Sequence, residues 1–204
     1  LTGQVVALKL LPPHVAQAAG GVTRFLREVR AAHAVSHPGV VPVYDAGDHN
    51  DGLYIAMELL EGESLGDRMA AGAQPQAVLG ALRAVLEPLA AAHSAGIVHR
   101  DLKPDNIFIA QGPDGDEVRL LDFGIAADQG GRRATQTGLT VGTPFYMSPE
   151  QALDPRTCKP SSDVWAMGAM IYECVTGFPP FNLPSQLETM QAVVSDPVVP
   201  PSQH

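Results

Sequence analysis

Apolar positions along the chain follow two rhythms, one after the other. Before residue 60 they form short runs. Gln4 to Leu11 is rich in Val and Leu and stops at Pro12-Pro13, the pattern of a short buried strand. Gly20-Gly21 makes a joint. Phe25, Leu26, Val29 and Ala32 then recur at helical spacing between Thr23 and Ser36, with Arg24, Arg27, Glu28 and Arg30 at the other positions. His37-Pro38-Gly39 ends that helix. Val40 to Ala46 and Leu53 to Leu59 read as two strands around the turn residues Asp48 to Gly52, a hairpin.

Past Glu61-Gly62-Glu63-Ser64 the period becomes helical. Leu65 to Ala71 is a short helix. Gln76 to Ala95 is a longer one, with Leu79, Leu82, Leu86, Leu89 and His93 forming its stripe, Pro88 expected to kink it, and Gly96 capping it. Strands return at 106–110 and 118–121 around the turn Gly112 to Asp116. Residues 125–147 form a long loop dense in Gly and Thr, of the kind that is usually functional. Ser162 to Thr176 is a strongly apolar helix closed by Gly177, and the Pro-rich tail from Asp196 shows no regular pattern. Strands first and helices afterwards predict an α+β architecture, a small β-rich lobe and a larger α-helical lobe joined near residues 60–63.

Composition narrows the function classes. The chain has 204 residues, 45% of them hydrophobic, and 20 Gly and 18 Pro, below the level of low-complexity disorder. A formal charge of −9 argues against a broad nucleic-acid footprint. Arg83 and Glu87 interrupt one apolar stretch and Glu173 another, so no membrane contact is expected within this segment. Cys158 and Cys174 are too few for a disulfide scaffold or zinc cluster and read as free thiols in a reducing compartment, a cytoplasmic location.

The chemistry concentrates in His99-Arg100-Asp101-Leu102-Lys103-Pro104-Asp105-Asn106 and, directly after the apolar run 118–121, Asp122-Phe123-Gly124. A carboxylate and an amide oxygen are hard ligands suited to Mg²⁺, which takes few protein groups and completes its shell with phosphate oxygens. A second Asp nearby can orient a hydroxyl and accept its proton, and Lys103 can neutralise a transferring phosphoryl group. Together these stretches resemble the protein kinase family. Further matches follow in the family's order. Val6-Ala7-Leu8-Lys9 is similar to the third-strand lysine motif, and Glu28, nineteen residues later, stands where its partner glutamate belongs. Gly142 to Glu150 resembles the segment closing the activation loop, and Asp163-Val164-Trp165 the start of the buried helix after it. The Lys two after Asp101, with Thr143, resembles the serine/threonine type. His37-Pro38-Gly39, Thr135-Gln136-Thr137 and Ser148-Pro149-Glu150-Gln151 resemble the bacterial members.

The resemblance implies a role for each position. Asp101, Lys103 and Asn106 are catalytic, with Asn106 and Asp122 holding Mg²⁺, or Mn²⁺ in its place. Lys9 contacts ATP phosphates and pairs with Glu28. Ala7 and Phe108 sandwich adenine, and Glu58 to Leu60 bond it through their backbone. Thr135, Thr137 and Thr140 are autophosphorylation acceptors for Arg100 to hold, and Thr143 seats the substrate hydroxyl. His99, Phe123, Gly124, Glu150 and Asp163 are structural. The partners implied are protein substrates carrying Ser or Thr, with a kinase dimer as a further one.

Two elements of the family pattern do not appear. The Gly-rich loop belongs some 15–20 residues before Lys9, yet Gly3 is the sole glycine in the eight residues that precede it. No arginine follows Arg156, so the resemblance leaves Glu150 without its buried partner. The expectation is a kinase domain fragment over residues 1–204, with a partial N-terminal lobe over 1–60 and a partial C-terminal lobe over 61–204. The competing expectations are a non-catalytic, kinase-like binding module and, more remotely, a small-molecule phosphotransferase.

Overall fold

The computed structural model describes residues 3–11, 22, 25, 26, 29, 35–49, 52–123 and 144–204. Glu28, Gly124, Thr135, Thr137, Thr140 and Thr143 lie outside the described residues, as do the Gly20-Gly21 joint and most of the expected loop 125–147.

Three strands form the first sheet: β1 (Val6–Leu11), β2 (Val43–His49) and β3 (Gly52–Glu58), in the order β1-β3-β2 and antiparallel throughout. The hairpin is tighter than the turn residues imply, because His49 already pairs with Gly52. β1 is not the buried strand its composition predicts. Among the described residues it lies at the edge of its sheet, and of its six residues only Leu11 is fully buried. Leu11, Leu53 and Ile55 pack with the helical residues Phe25 and Val29 into a small core.

The chain passes from Glu58 to a second antiparallel sheet, β4 (Gly62–Ser64), β5 (Ile107–Gly112) and β6 (Gly115–Leu120), in sequence order. β5 and β6 run further into their turn than the sequence pattern implies, with Gly112 paired to Gly115. Gly62 has φ 146°, and a Cβ there would lie 2.1 Å from the Ile109 carbonyl oxygen, so only glycine allows β4 to approach β5. The segment entering β2 joins the sheets. Leu120 N–H donates to Gly39 O at 2.7 Å, and Val41 N–H donates to Leu120 O at 3.1 Å.

Five helices have described bounds: α1 (Leu65–Ala70), α2 (Pro75–Ser94), α3 (Pro149–Leu153), α4 (Pro160–Thr176) and α5 (Gln186–Ser195). Ser64 and Asp67 form a reciprocal capping box at the start of α1, as Ser185 and Glu188 do at α5. α2 runs through Pro88, which packs on Gly39 so closely that a Cβ at Gly39 would sit 2.9 Å from it. The buried stripe of α2 is Val78, Ala81, Leu82, Val85, Pro88, Leu89 and Ala92; the expected members Leu79 and Leu86 are exposed. At 3.6 residues per turn those two leucines lie about 100–120° from the stripe's centre. Leu82 and Leu89 hold the buried face together with smaller Ala and Val residues. α4 buries Ala166, Met167 and Met170 in the same core and leaves Val164, Ile171 and Val175 exposed; Gly177 ends it at φ 86°.

Pro144–Tyr146 and Pro201–Gln203 form single 3₁₀ turns where the pattern showed only loop and irregular tail. Both cysteines are free, and burial pushes their thiols up. Among the described residues no helix is long and apolar enough to cross a membrane.

Candidate active site

The stretch 99–106 follows α2 and is fixed from below by α4. Asp163, in the first turn of α4 and 1% exposed, accepts the backbone N–H of His99 at 2.8 Å on Oδ2 and that of Arg100 at 3.0 Å on Oδ1. Oδ2 also lies 2.7 Å from His93 Nε2. A buried carboxylate is tolerated when its lone pairs are met in this way. Arg100 takes φ 68°, in the left-handed region that side chains disfavour. Its N–H is held by Asp163, and its carbonyl accepts from Gln151 Nε2 at 2.5 Å.

This backbone delivers Asp101 with its carboxylate 42% exposed and Lys103 Nζ 3.1 Å away. Pro104–Asn106 forms a 3₁₀ turn that returns Asn106 to the same spot. Asn106 Nδ2 donates to Asp101 O at 2.7 Å and to Asp101 Oδ2 at 3.0 Å. Both N–H bonds are thereby directed at Asp101, which leaves the amide oxygen as the acceptor for other partners. Leu121 N–H donates to Asn106 O at 2.9 Å, which brings Asp122 beside this turn.

Asp122 has φ 47° and is the other described non-glycine residue with positive φ. Backbone in such sparsely populated regions tends to cluster at functional sites. Its Oδ2 lies 2.6 Å from Lys9 Nζ, a half-exposed pair. Asp122 is the described partner of Lys9; the expected partner Glu28 lies outside the described residues. Next to it, Phe123 packs 4.9 Å from the ring of His99. His99 is fully buried, and its Nε2 is 2.8 Å from Leu121 O. A carbonyl only accepts, so Nε2 carries the proton, and Nδ1 has no hydrogen-bond partner. Burial pushes the imidazole's pKa down, against the pull of Asp163, so His99 is neutral.

Ala7, on β1, pairs with Met57, and Val6 pairs with Glu58. Phe108, on β5, pairs with Ser64 and Arg119. Val43, Ile55, Met57, Leu120, Asp122 and Phe123 line an apolar cleft between the sheets and the Asp122 turn. The Leu60 backbone lies on the open stretch between β3 and β4. Arg119 Nη1 donates to Pro38 O at 2.5 Å and lies 3.8 Å from Glu58 Oε2.

Glu150 is not left without a partner. Ser162 Oγ donates to its Oε1 at 2.6 Å, and that bond, despite burial, holds its carboxyl below the usual range. Tyr146 donates to Glu173 Oε2 at 2.6 Å, and burial together with that bond pushes its phenol far up.

The sequence pattern marks the stretches 99–106 and 122–123 but not the contacts of four side chains around them, His93, Tyr146, Glu173 and Gln151. His93 was read as one member of an apolar stripe; a polar residue on that face near the end of α2 was the available signal. Tyr146 lies within the Gly142–Glu150 match, Gln151 within Ser148-Pro149-Glu150-Gln151 and Glu173 within an apolar stretch, but no spacing there gives the partner of any of them.

The geometry agrees with what comparison with known proteins finds. The family model described as protein kinase domain matches residues 1–200. Serine/threonine-protein kinase pkn2 of Myxococcus xanthus is 41% identical over 186 residues, 89% of this chain and 22% of that protein. Serine/threonine-protein kinase PknL of Mycobacterium tuberculosis is 42% identical over 184 residues, 89% of this chain and 45% of that protein. The chain thus spans less than half the length of these curated relatives. Among solved structures, the Mycobacterium tuberculosis PknI kinase domain is 30% identical with a TM-score of 0.69, covering 89% of this chain and 68% of that one. The sheet-and-helix architecture, the arrangement around Asp101 and Asp122 and these likenesses together show that this chain belongs to the protein kinase domain family.

Proposed function

We propose that this chain is the catalytic portion of a protein that transfers the γ-phosphoryl group of ATP to Ser and Thr hydroxyls of protein substrates. The observation that carries the reading is the joint fixing of Asp101 and Asn106, with Asp122 brought beside them by the Leu121–Asn106 bond. The relatives' printed names support the serine/threonine class.

Asp101 orients the acceptor hydroxyl and takes its proton as the new P–O bond forms. Lys103, beside it, neutralises charge on the moving phosphoryl group. The donor set fits a hard divalent cation: the carboxylate of Asp122 and the free amide oxygen of Asn106 are two oxygens, and phosphates supply others. Bound Mg²⁺ supplies neutralisation of the β- and γ-phosphate oxygens, with Mn²⁺ a chemical substitute. Lys9 exchanges its pairing with Asp122 for contacts to the nucleotide phosphates and Glu28. Ala7 and Phe108 hold the adenine ring, and the Glu58–Leu60 backbone bonds its edge. Thr143 seats the acceptor residue, and Arg100 holds a phosphate placed on Thr135, Thr137 or Thr140 by autophosphorylation. Residues 1–60 and 61–204 correspond to the two lobes. The location we assign to this segment is cytoplasmic, with a kinase dimer as a further assembly.

Labelled ATP with Mg²⁺, followed by phosphoamino-acid analysis of product and enzyme, tests the reading. Label on Ser and Thr supports it; nucleotide binding without any transfer by the complete gene product favours the binding module.

A further inference from the structure

Gln151 is a buried polar side chain in the first turn of α3, directly after Glu150. Its backbone N–H is turned to Ser148 Oγ at 3.4 Å, so it moves with the segment 147–151. Its Nε2 donates to the Arg100 carbonyl at 2.5 Å, across 51 residues of sequence. That carbonyl belongs to the peptide joining Arg100 to Asp101, and the plane of this peptide sets the direction in which Asp101 leaves. Arg100 is at φ 68°. Such a conformation persists only where its surroundings over-determine it. Two partners do so, Asp163 on the N–H and Gln151 on the carbonyl, from different helices.

We propose that Gln151 is a positioning residue for phosphotransfer: it holds the Arg100–Asp101 peptide and so makes the aim of Asp101 depend on the folding of 147–151. The inference rests on the reading of Asp101 as the residue that receives the hydroxyl proton. It needs a donor at 151, since a carbonyl only accepts. Gln151→Met keeps the length and removes the donor. Gln151→Glu removes it when ionised and restores it when protonated.

Both variants are compared with wild type in the complete gene product. In each, kcat, KM for ATP, thermal midpoint and amide hydrogen exchange over residues 99–106 are measured. The expected result for Gln151→Met is a kcat lowered about tenfold or more with KM for ATP within about twofold, and exchange in 99–106 accelerated about tenfold or more. For Gln151→Glu, ionised at the assay pH, the same losses are expected. Unchanged kcat and exchange in Gln151→Met, or a lowered midpoint with neither of them altered, overturns the proposal. If wild type transfers no phosphate to Ser or Thr, the kinase reading fails, and exchange in 99–106 still decides whether Gln151 holds the loop.

Discussion

Lys9 Nζ lies 2.6 Å from Asp122 Oδ2, an ion pair spanning 113 residues of sequence that ties the edge strand β1 to the segment leaving β6. Both groups are partly exposed, at 46% and 27%. Solvent screens such a pair, so its contribution to stability is small and its use lies in the chemistry. Lys9→Met and Asp122→Asn should each change unfolding free energy by less than about 1 kcal/mol. Each should also lower phosphotransfer by about a thousandfold or more, given the electrostatic role assigned to it. Denaturant unfolding and initial-rate kinetics on the same preparations check this.

Asp163 presents the opposite case. It is buried and accepts two backbone N–H groups besides facing His93. Asp163→Ala strands these donors in a buried site and should cost about 3–5 kcal/mol. Asp101→Asn, at a half-exposed position, should leave stability within about 1 kcal/mol while removing activity. Chemical denaturation of the pair separates scaffold from chemistry.

His99 sets an acid limit on stability. Its pKa when folded lies below the ordinary 6.5, because burial disfavours the imidazolium. Between those two values the unfolded chain binds more protons than the folded one. This stability is therefore present above about pH 6.5 and is lost as pH falls below it, with a slope of up to about 1.4 kcal/mol per pH unit. Glu150 adds a second loss below its ordinary 4.5, since the Ser162 bond holds its folded value lower. His99→Tyr keeps a ring and a donor for Leu121 O but does not titrate, and should flatten the curve between pH 7 and 5.

Two glycines should respond in opposite ways to the same substitution. Gly80, exposed within α2, has nothing within 4 Å of an added Cβ. Gly80→Ala should stabilise by about 0.5–1 kcal/mol. Gly62→Ala meets the Ile109 carbonyl and should cost more than about 3 kcal/mol or prevent folding. Thermal unfolding of both variants checks the contrast.

The sequence showed its chemistry more clearly than its packing. The stretches 99–106 and 122–124 were legible because charged residues and glycine at fixed spacings are rare in combination. On α2, Leu82 and Leu89 are buried as expected, while Leu79 and Leu86 are not, because leucines dominate a hydrophobicity count and close packing also selects Ala81 and Ala92. β1 read as buried because Val and Leu do not reveal that a strand lies at a sheet edge. The partners of Glu150 and Arg100 were hidden for another reason. Hydrogen bonds from Ser162 and Gln151 depend on neutral polar side chains brought close only by folding.

The most direct test of the central claim is transfer of labelled γ-phosphate from ATP and Mg²⁺ to a Ser/Thr-containing protein by the complete gene product, beside its Asp101→Asn variant. The account predicts label on Ser and Thr with wild type and a loss of about a thousandfold or more in a variant that still folds and binds nucleotide. Transfer that survives Asp101→Asn, or its absence in a wild type that binds Mg²⁺ and ATP, would contradict it.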